Sequence, residues 1–315
     1  MDIVYGPVPS RRLGQSLGVD PIPLKTCNWN CVYCQLGRTV PLTNRRMEYI
    51  PGEKILSEVR EGIREHPQGS IDWVTFVGSG EPTLHSGIGD LIRGVKGITD
   101  LPLAVITNGA LLFLPEVREA LIAADAVLPS LDAGGPDQYR KLNRPHPGIP
   151  FDSYRQGLID FSQAYGGKLW LEVMLIRDLN DTEEALRAIA SLVDEIKPDQ
   201  VHLSSPTRPP VETWVQPSSE EGLMRAQAIL GRAASVLHPA RGSFELGSYD
   251  SLLDAVTGII TRHPMREQEL IETLERWEPE HITETLHDLQ ATGKARIVER
   301  YGVRFWSASS THFPE

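Results

Sequence analysis

Hydrophobic and polar positions along the first three quarters of the chain form a repeating pattern of short apolar runs and longer amphipathic stretches. The apolar runs are rich in β-branched and aromatic residues and mostly lack strict alternation, which is typical of buried parallel strands. They predict strands at residues 16–23, 72–78, 103–109, 126–134, 168–176 and 200–206. The amphipathic stretches predict helices at residues 52–65, 86–95, 115–124, 152–165, 182–196 and 218–237.

This alternation predicts an α/β fold in which helices cover a parallel sheet. Six β–α units are too few to close the common eight-stranded barrel, so we expect a partial (β/α)6 barrel. In sheets of this kind the chemistry lies at the carboxyl ends of the strands.

The pattern changes after residue 240, where we place the boundary between a core domain (residues 1–240) and a small second domain (residues 241–315). Three helices are predicted in the second domain, at residues 252–262, 266–276 and 278–292. Residues 296–307 alternate about a Tyr301-Gly302 turn and predict a hairpin. Three helices followed by a hairpin is the order of elements in a winged-helix domain.

The third of these helices is acidic. It contains no Lys or Arg and four acids, which are Glu278, Glu280, Glu284 and Asp288. A helix that reads DNA faces phosphates and should be basic. We therefore favour packing or protein contact over DNA binding for this face.

The overall composition is ordinary for a globular protein, with 40% hydrophobic and 23% charged residues in a chain of 315. No apolar run approaches the length of a membrane span, and the first residues lack the apolar region of a signal peptide. We therefore expect a cytoplasmic protein with no membrane partner. The net charge of −11 argues against a protein that coats nucleic acid. Residues 1–46, however, hold six basic and two acidic side chains, which indicates either a solvated surface or a local anionic ligand.

The chain has three cysteines, Cys27, Cys31 and Cys34, immediately after the first predicted strand. A loop this short can wrap three thiolates around one iron–sulfur cluster and leave one iron open, as catalytic metal sites require. A closed zinc site would need a fourth ligand, and the nearest downstream histidines, His66 and His85, are distant in sequence. A redox pair of Cys31 and Cys34 would leave Cys27 unexplained.

The spacing C-x3-C-x2-C, with Tyr33 before the last cysteine, resembles the signature of the radical S-adenosylmethionine (SAM) superfamily. The sequence GSGEPT at residues 78–83 is similar to the family's loop that binds the methionine amino group of SAM. TNG at residues 107–109 resembles a segment that lines the same pocket. Ser130 and Asp132 lie where relatives place polar contacts to the ribose and the amine. These motifs follow the family's order between residues 16 and 206.

The resemblance implies that the three cysteines hold a catalytic [4Fe–4S] cluster. An electron donor such as flavodoxin or ferredoxin would reduce it, and SAM would then be cleaved to methionine and a 5′-deoxyadenosyl radical. The SAM-binding residues that it implies are Tyr33, Gly78, Gly80, Glu81, Pro82, Thr107, Asn108, Ser130 and Asp132. Arg144 and Arg177, in loops at strand ends, are candidates to bind the SAM carboxylate or to form ordinary salt bridges.

The segment SLDAGGPDQYRKLNRP (residues 130–145) and the opening VPSRRLG resemble the wybutosine-synthesis-like branch of the superfamily, which favours modification of an RNA base. A second cysteine-ligated cluster is excluded because the chain has no further cysteine. We consider three functions: an enzyme acting on RNA or a nucleotide-like anion, an activase or peptide-modifying enzyme with a protein partner, and a non-catalytic sensor with a DNA-binding winged helix.

Overall fold

The computed structural model describes residues 3–237, 252–277 and 279–310. Eight strands form one sheet in sequence order, in which β1 pairs antiparallel with β2 and all later pairs are parallel. These strands are β1 (Val4–Ser10), β2 (Gly14–Val19), β3 (Trp73–Phe76), β4 (Leu103–Thr107), β5 (Ala126–Pro129), β6 (Lys168–Met174), β7 (Gln200–Ser204) and β8 (Ala234–Val236). The α/β class and all six predicted strands are confirmed.

Seven helices accompany this sheet in the described part of the chain. They are α1 (Gly52–Arg64), α2 (Ile88–Lys96), α3 (Pro115–Leu121), α4 (Pro136–Leu142), α5 (Phe151–Ala164), α6 (Glu183–Ile196) and α7 (Glu220–Leu230). All but α4 lie where the amphipathic stretches predict them. The edge strands β1 and β8 were not predicted.

The predicted helix at residues 218–237 is too long. Ser219 caps α7 by accepting a hydrogen bond from the Gly222 N–H, and the helix ends at Gly231, whose φ of 79° suits glycine. The residues that follow form β8, which pairs with β7. The error arose because three strand residues directly after a helix do not interrupt its apolar pattern.

The two faces of the sheet have separate apolar clusters. Along β4, Leu103 and Val105 join the large cluster shared with the helices, whereas Ala104 belongs to a small cluster on the inner face. Leu13, from the turn between β1 and β2, packs into this inner cluster. The turn therefore fills the interior of the partial barrel, and it also positions Arg12 for the ion pair with Glu172 of β6 (2.5 Å).

A second unit, which we call the C-terminal module, comprises residues 252–310 and has its own apolar core. Its elements are α8 (Leu252–Arg262), β9 (Met265–Arg266), α9 (Glu267–Trp277), α10 (Ile282–Ala291), β10 (Ala295–Arg300) and β11 (Val303–Ala308). The hairpin about Tyr301 and Gly302 is confirmed. The winged-helix name stays a prediction, and the boundary predicted at residue 240 lies outside the described residues.

Several side chains join the C-terminal module to the barrel. The buried Arg262 side chain pairs with Asp20 (3.3 Å) and lies over the Tyr5 ring at 4.6 Å from its centroid. The Tyr301 hydroxyl donates to the Val215 carbonyl (3.1 Å). The end of α8 is thereby fixed beside the carboxyl end of β2.

Within the described residues, no helix is both long and apolar enough to cross a membrane.

Candidate active site

The cysteine loop follows β2 at the carboxyl end of the sheet, where the fold predicts the chemistry. Cys27, Cys31 and Cys34 are partly buried, unbridged thiols. Each sulfur lies near a side-chain N–H donor from another part of the site. These donors are Lys25 for Cys34 (3.1 Å), Asn108 for Cys27 (3.8 Å) and Asn143 for Cys31 (3.9 Å). Donors of this kind are among the groups that set the reduction potential of an iron–sulfur cluster.

The surroundings of the thiols suit a cluster better than free thiolates. Burial raises the pKa of Cys27 to about 12, and burial together with the charges of the other two cysteines raises that of Cys31 well above its ordinary value. A coordinated metal deprotonates such thiols outright. Across residues 3–237, 252–277 and 279–310, no three His, Cys, Asp or Glu side chains are close enough to hold a single metal ion. Among these residues the three cysteines have no fourth side chain of the kind that a closed zinc site needs.

The GSGEPT loop is hydrogen-bonded to the start of the cysteine loop. The Lys25 N–H donates to the Ser79 carbonyl (2.8 Å), and the Glu81 N–H donates to the Thr26 carbonyl (2.9 Å). A Cβ atom at Gly80 would collide with this Thr26 carbonyl, so only glycine allows the approach. Pro82 begins the short 3-10 helix that follows. The two predicted motifs are thus one structural unit.

Glu81 is buried, and its carboxylate joins the GSGEPT loop to the TNG segment. Oε1 accepts from the Thr83 N–H (3.0 Å), the Thr83 hydroxyl (2.6 Å) and the Thr107 hydroxyl (2.6 Å). Oε2 accepts from the Asn108 N–H (2.7 Å). Burial raises the pKa of Glu81, and these hydrogen bonds oppose the shift. All four contacts are internal, so Glu81 positions the two loops, and a direct bond to the SAM amine stays a prediction.

Asp132, at the carboxyl end of β5, is buried in a second network. Its Oδ2 accepts from the Tyr33 hydroxyl and from Asn143 Nδ2 (2.7 Å), and its Oδ1 accepts from the Met174 N–H (2.8 Å). Burial raises the pKa of Asp132 to about 6, against these hydrogen bonds. The neighbouring Ser130 uses its backbone N–H to donate to the Thr107 carbonyl (3.1 Å). The network ties the cysteine loop to the strand ends.

The two predicted arginines have different surroundings. Arg144 lies beside the cysteine loop in a left-handed conformation (φ 46°), and its guanidinium pairs with Glu212 (2.5 Å). Arg177 is exposed, and within the described residues its side chain makes no ion pair. Arg144 therefore lies at the site and forms an ordinary salt bridge there. No contact of the Arg177 side chain with the site is found in the described residues.

Three residues of the site were missed by the sequence reasoning: Lys25, Asn143 and Glu212. Lys25 is two residues before Cys27, and Asn143 immediately precedes Arg144, so proximity to the motifs was an available signal. Both Lys25 (φ 61°) and Arg144 have positive φ, which is unusual for side-chain-bearing residues and is concentrated at functional sites. Glu212 carried no local signal.

A family model described as the radical SAM superfamily matches residues 22–190, which include the cysteine loop and the GSGEPT loop. The chain is 35% identical over 283 residues to a UPF0026 protein of Methanocaldococcus jannaschii, and the match covers 88% of this chain and 87% of that protein. It is 46% identical over 205 residues to a protein named GTPase Obg of Brachyspira hyodysenteriae. That match covers 65% of this chain but only 30% of that protein, so the GTPase name is not carried over.

More distant similarities agree with the family. The chain is 31% identical over 162 residues to the GTP 3′,8-cyclase of Limosilactobacillus fermentum, covering 50% of this chain and 45% of that protein. The structure of a radical SAM methyltransferase from Sphaerobacter thermophilus superposes with a TM-score of 0.56 at 18% identity, covering 70% of this chain and 66% of that one. This second likeness shows the fold alone.

Members of this family use a [4Fe–4S] cluster and SAM, and the residues around the three thiols fit that requirement. The chain belongs to the radical SAM superfamily, within which its full-length relatives are UPF0026 proteins, and it is a radical SAM enzyme.

Proposed function

We propose that this enzyme cleaves SAM reductively at a cluster held by Cys27, Cys31 and Cys34 and modifies RNA or another nucleotide-like anion. The observation that carries the substrate class is an excess of positive charge beside the cysteine loop. Arg38 and Arg144 share one carboxylate, that of Glu212, at 3.4 Å and 2.5 Å. One positive charge is therefore left over next to the thiols, where it would attract an anion.

An exposed aromatic residue accompanies this charge. Trp214 is 52% exposed and lies in the turn that runs from Glu212 to Val215. The Glu212 N–H donates to the Val32 carbonyl (3.2 Å), so the turn is attached to the cysteine loop. Bases of RNA stack on exposed aromatic side chains, and arginines contact the phosphates. The name of one relative, GTP 3′,8-cyclase, also states a nucleotide substrate.

The chain's own residues provide binding and orientation. When bound, the cluster supplies the electron that splits SAM into methionine and a 5′-deoxyadenosyl radical. The backbone carbonyls of the GSGEPT loop, held in place by Glu81, are the acceptors that we propose for the SAM amine. The network of Tyr33, Asp132 and Asn143 fixes the far side of the cysteine loop. The electron donor that we propose is a flavodoxin or a ferredoxin.

The radical chemistry is tested by anaerobic reconstitution with iron and sulfide, followed by dithionite and SAM. We expect 5′-deoxyadenosine from the wild-type protein and none from Cys31→Ala. Formation no higher than in that variant would contradict the proposal.

The substrate class is tested by mass spectrometry of total tRNA from a strain that lacks the gene. We expect one modified nucleoside to disappear and to return with the wild-type gene but not with Cys31→Ala. An unchanged nucleoside profile would remove tRNA as the substrate and direct attention to free nucleotides or to a protein partner.

A further inference from the structure

Arg208 and His263 are in contact where the barrel and the C-terminal module join, and Arg11 is near enough to lower the pKa of both. Arg208 follows β7 at the carboxyl end of the sheet, and His263 directly follows α8. Arg11 comes from the turn between β1 and β2 that fills the barrel. Gln35, the residue after Cys34, connects this group to the active site, because its amide oxygen is 3.4 Å from Arg208 and its amide nitrogen donates to the Arg262 carbonyl (2.9 Å).

We infer that Arg11, Arg208 and His263 form a binding site for a phosphate group of the substrate. This inference rests on the proposed function, because it specifies which part of a nucleotide-like anion the enzyme holds and where.

The first support is that both guanidinium groups lack a counter-ion. Among the described residues, neither Arg11 nor Arg208 is within ion-pair distance of a carboxylate. Burial and the charge of Arg11 lower the pKa of Arg208 to about 10, and burial also lowers that of Arg11. Cations that are buried together without a partner are costly, and they are characteristic of sites that gain an anion.

The carboxylates in the neighbourhood are already engaged. Glu172 pairs with Arg12 (2.5 Å), and Asp20 pairs with Arg262 (3.3 Å). Glu269 accepts from the backbone N–H of Arg266 (3.0 Å). Glu172 and Glu269 act on Arg11 and Arg208 only at longer range, and neither forms a direct ion pair with them among the described residues.

The second support is an unused donor on His263. Its Nδ1 is 3.3 Å from the Arg208 guanidinium, which can only donate, so Nδ1 accepts and the proton is on Nε2. Burial and the nearby arginines lower the pKa of His263 well below its usual value, which keeps the ring neutral. Nε2 is buried and has no hydrogen-bond partner in the part of the chain that the structure describes. A buried N–H without an acceptor is the group that a bound phosphate oxygen would satisfy.

The charge of the group selects phosphate. Two guanidinium groups match a phosphate dianion in charge, and their planar donors bond to its oxygens in pairs. A single carboxylate would neutralise only half of the charge. The dianion can be the terminal phosphate of a nucleoside monophosphate, and two neighbouring phosphodiesters of an RNA backbone supply the same charge. Gln35 links the site to the cysteine loop in either case.

The test measures binding to the reconstituted protein without reductant, so that it does not depend on radical chemistry. The probes are inorganic phosphate and a mixture of ribonucleoside 5′-monophosphates, measured by calorimetry, and end-labelled total tRNA, measured by filter binding. The variants are Arg208→Gln and Arg11→Gln, with Arg208→Lys to retain the charge. Arg64→Gln is the matched control, since Arg64 is an exposed arginine on α1 that pairs with Glu61.

We expect Arg208→Gln and Arg11→Gln each to weaken binding about tenfold or more, and Arg208→Lys to weaken it less. Arg64→Gln should bind as tightly as the wild type. If these two variants bind both the monophosphates and tRNA more weakly, the site holds a terminal phosphate. If they bind only tRNA more weakly, the site holds the RNA backbone. In the second case the slope of log K against log salt should fall by about 0.7.

Two results would overturn the inference. One is a wild-type protein that binds none of the probes, or an Arg208→Gln variant that binds them unchanged. The other is an equal loss of binding in Arg64→Gln and Arg208→Gln, because a general loss of positive charge would then explain the effect. If 5′-deoxyadenosine forms while phosphate does not bind, this inference fails and the radical SAM activity stands.

Discussion

Replacing Arg262 with methionine should destabilise the protein by about 3 kcal/mol at pH 7, mainly because Asp20 would lose its buried cation. Arg262 and Asp20 are 5% and 2% exposed, so water cannot replace the lost partner. Methionine keeps an apolar side chain of similar length in the space between the barrel and the C-terminal module.

The magnitude follows from the geometry. At the 3.3 Å that separates Arg262 Nε from Asp20 Oδ2, the Coulomb attraction is about 5 kcal/mol at an effective dielectric constant of 20. The cost of desolvating both groups offsets part of this attraction, and removal of one partner from a buried pair costs about 3–5 kcal/mol. Loss of the contact between Arg262 and the Tyr5 ring adds about 1 kcal/mol. Protonation of Asp20, whose pKa burial already raises, limits the total to the lower part of the range.

The assay is urea unfolding of the wild type, Arg262→Met, Asp20→Asn and the double variant. The double-mutant cycle should give a coupling energy of about 2 kcal/mol. The free energy of unfolding that Arg262→Met loses relative to the wild type should also become smaller between pH 7 and pH 5. Loss of the cation raises the pKa of Asp20 further, and a carboxyl with a raised pKa regains stability as falling pH protonates it.

A functional consequence follows from the other contacts of Asp20. Its Oδ2 also accepts from the Ser79 N–H (3.1 Å) and hydroxyl (2.7 Å), and Ser79 belongs to the GSGEPT loop. Arg262→Met should therefore weaken SAM binding, measured by calorimetry without reductant. Arg93→Met, which removes an exposed pair with Asp90 on α2, should cost less than about 0.5 kcal/mol. A coupling energy near zero, or a loss no larger than that of the Arg93 variant, would refute the reasoning.

Three other changes have defined outcomes. Glu81→Ala leaves one buried and one partly buried backbone N–H group without acceptors, so urea unfolding should show a loss of about 2–4 kcal/mol, and a loss below 1 kcal/mol would contradict the positioning role. Burial lowers the pKa of His202 to about 4, so the wild type should lose up to about 2 kcal/mol as pH falls from 6.5 to 4, after allowance for screening. His202→Gln should lose less over that range, and equal acid sensitivity would refute this assignment. Lys25→Met removes the cationic donor to Cys34 and should lower the cluster potential in an EPR-monitored titration, with an unchanged potential as the contrary result.

Most of the barrel could be predicted because its determinants are local. A run such as Asp72–Gly78 is apolar over a short length, and the next helix begins after a clear break, so each strand is specified by its own residues. The edge strand β8 could not be predicted, since Ala234–Val236 is a strand only because β7 offers a free edge beside it. The C-terminal hairpin was predictable from its turn, because Tyr301 and Gly302 end one alternating run and begin another.

The candidate site divides in the same way. The sequence by itself indicated the radical SAM chemistry, because Cys27, Cys31 and Cys34 lie within eight residues and resemble the signature of that superfamily together with the GSGEPT and TNG motifs. The same resemblance located the two loops that we propose to bind SAM. The orientation of Glu81 was not determined, since the donors to its carboxylate come from a different strand end.

Only the tertiary structure decided which charges are neutralised. Arg144 meets Glu212 across 68 residues, and Asp20 meets Arg262 across 242. The sequence does not show which basic residues will form ion pairs, because the partner of each charge is set by how distant segments pack. Packing left Arg11 and Arg208 without a carboxylate beside the active site, and that local imbalance is invisible in a chain whose net charge is −11. The physical reason is that spacing along the chain fixes which ligands lie within one loop, whereas the electrostatic potential around them is the sum of charges from every part of the fold.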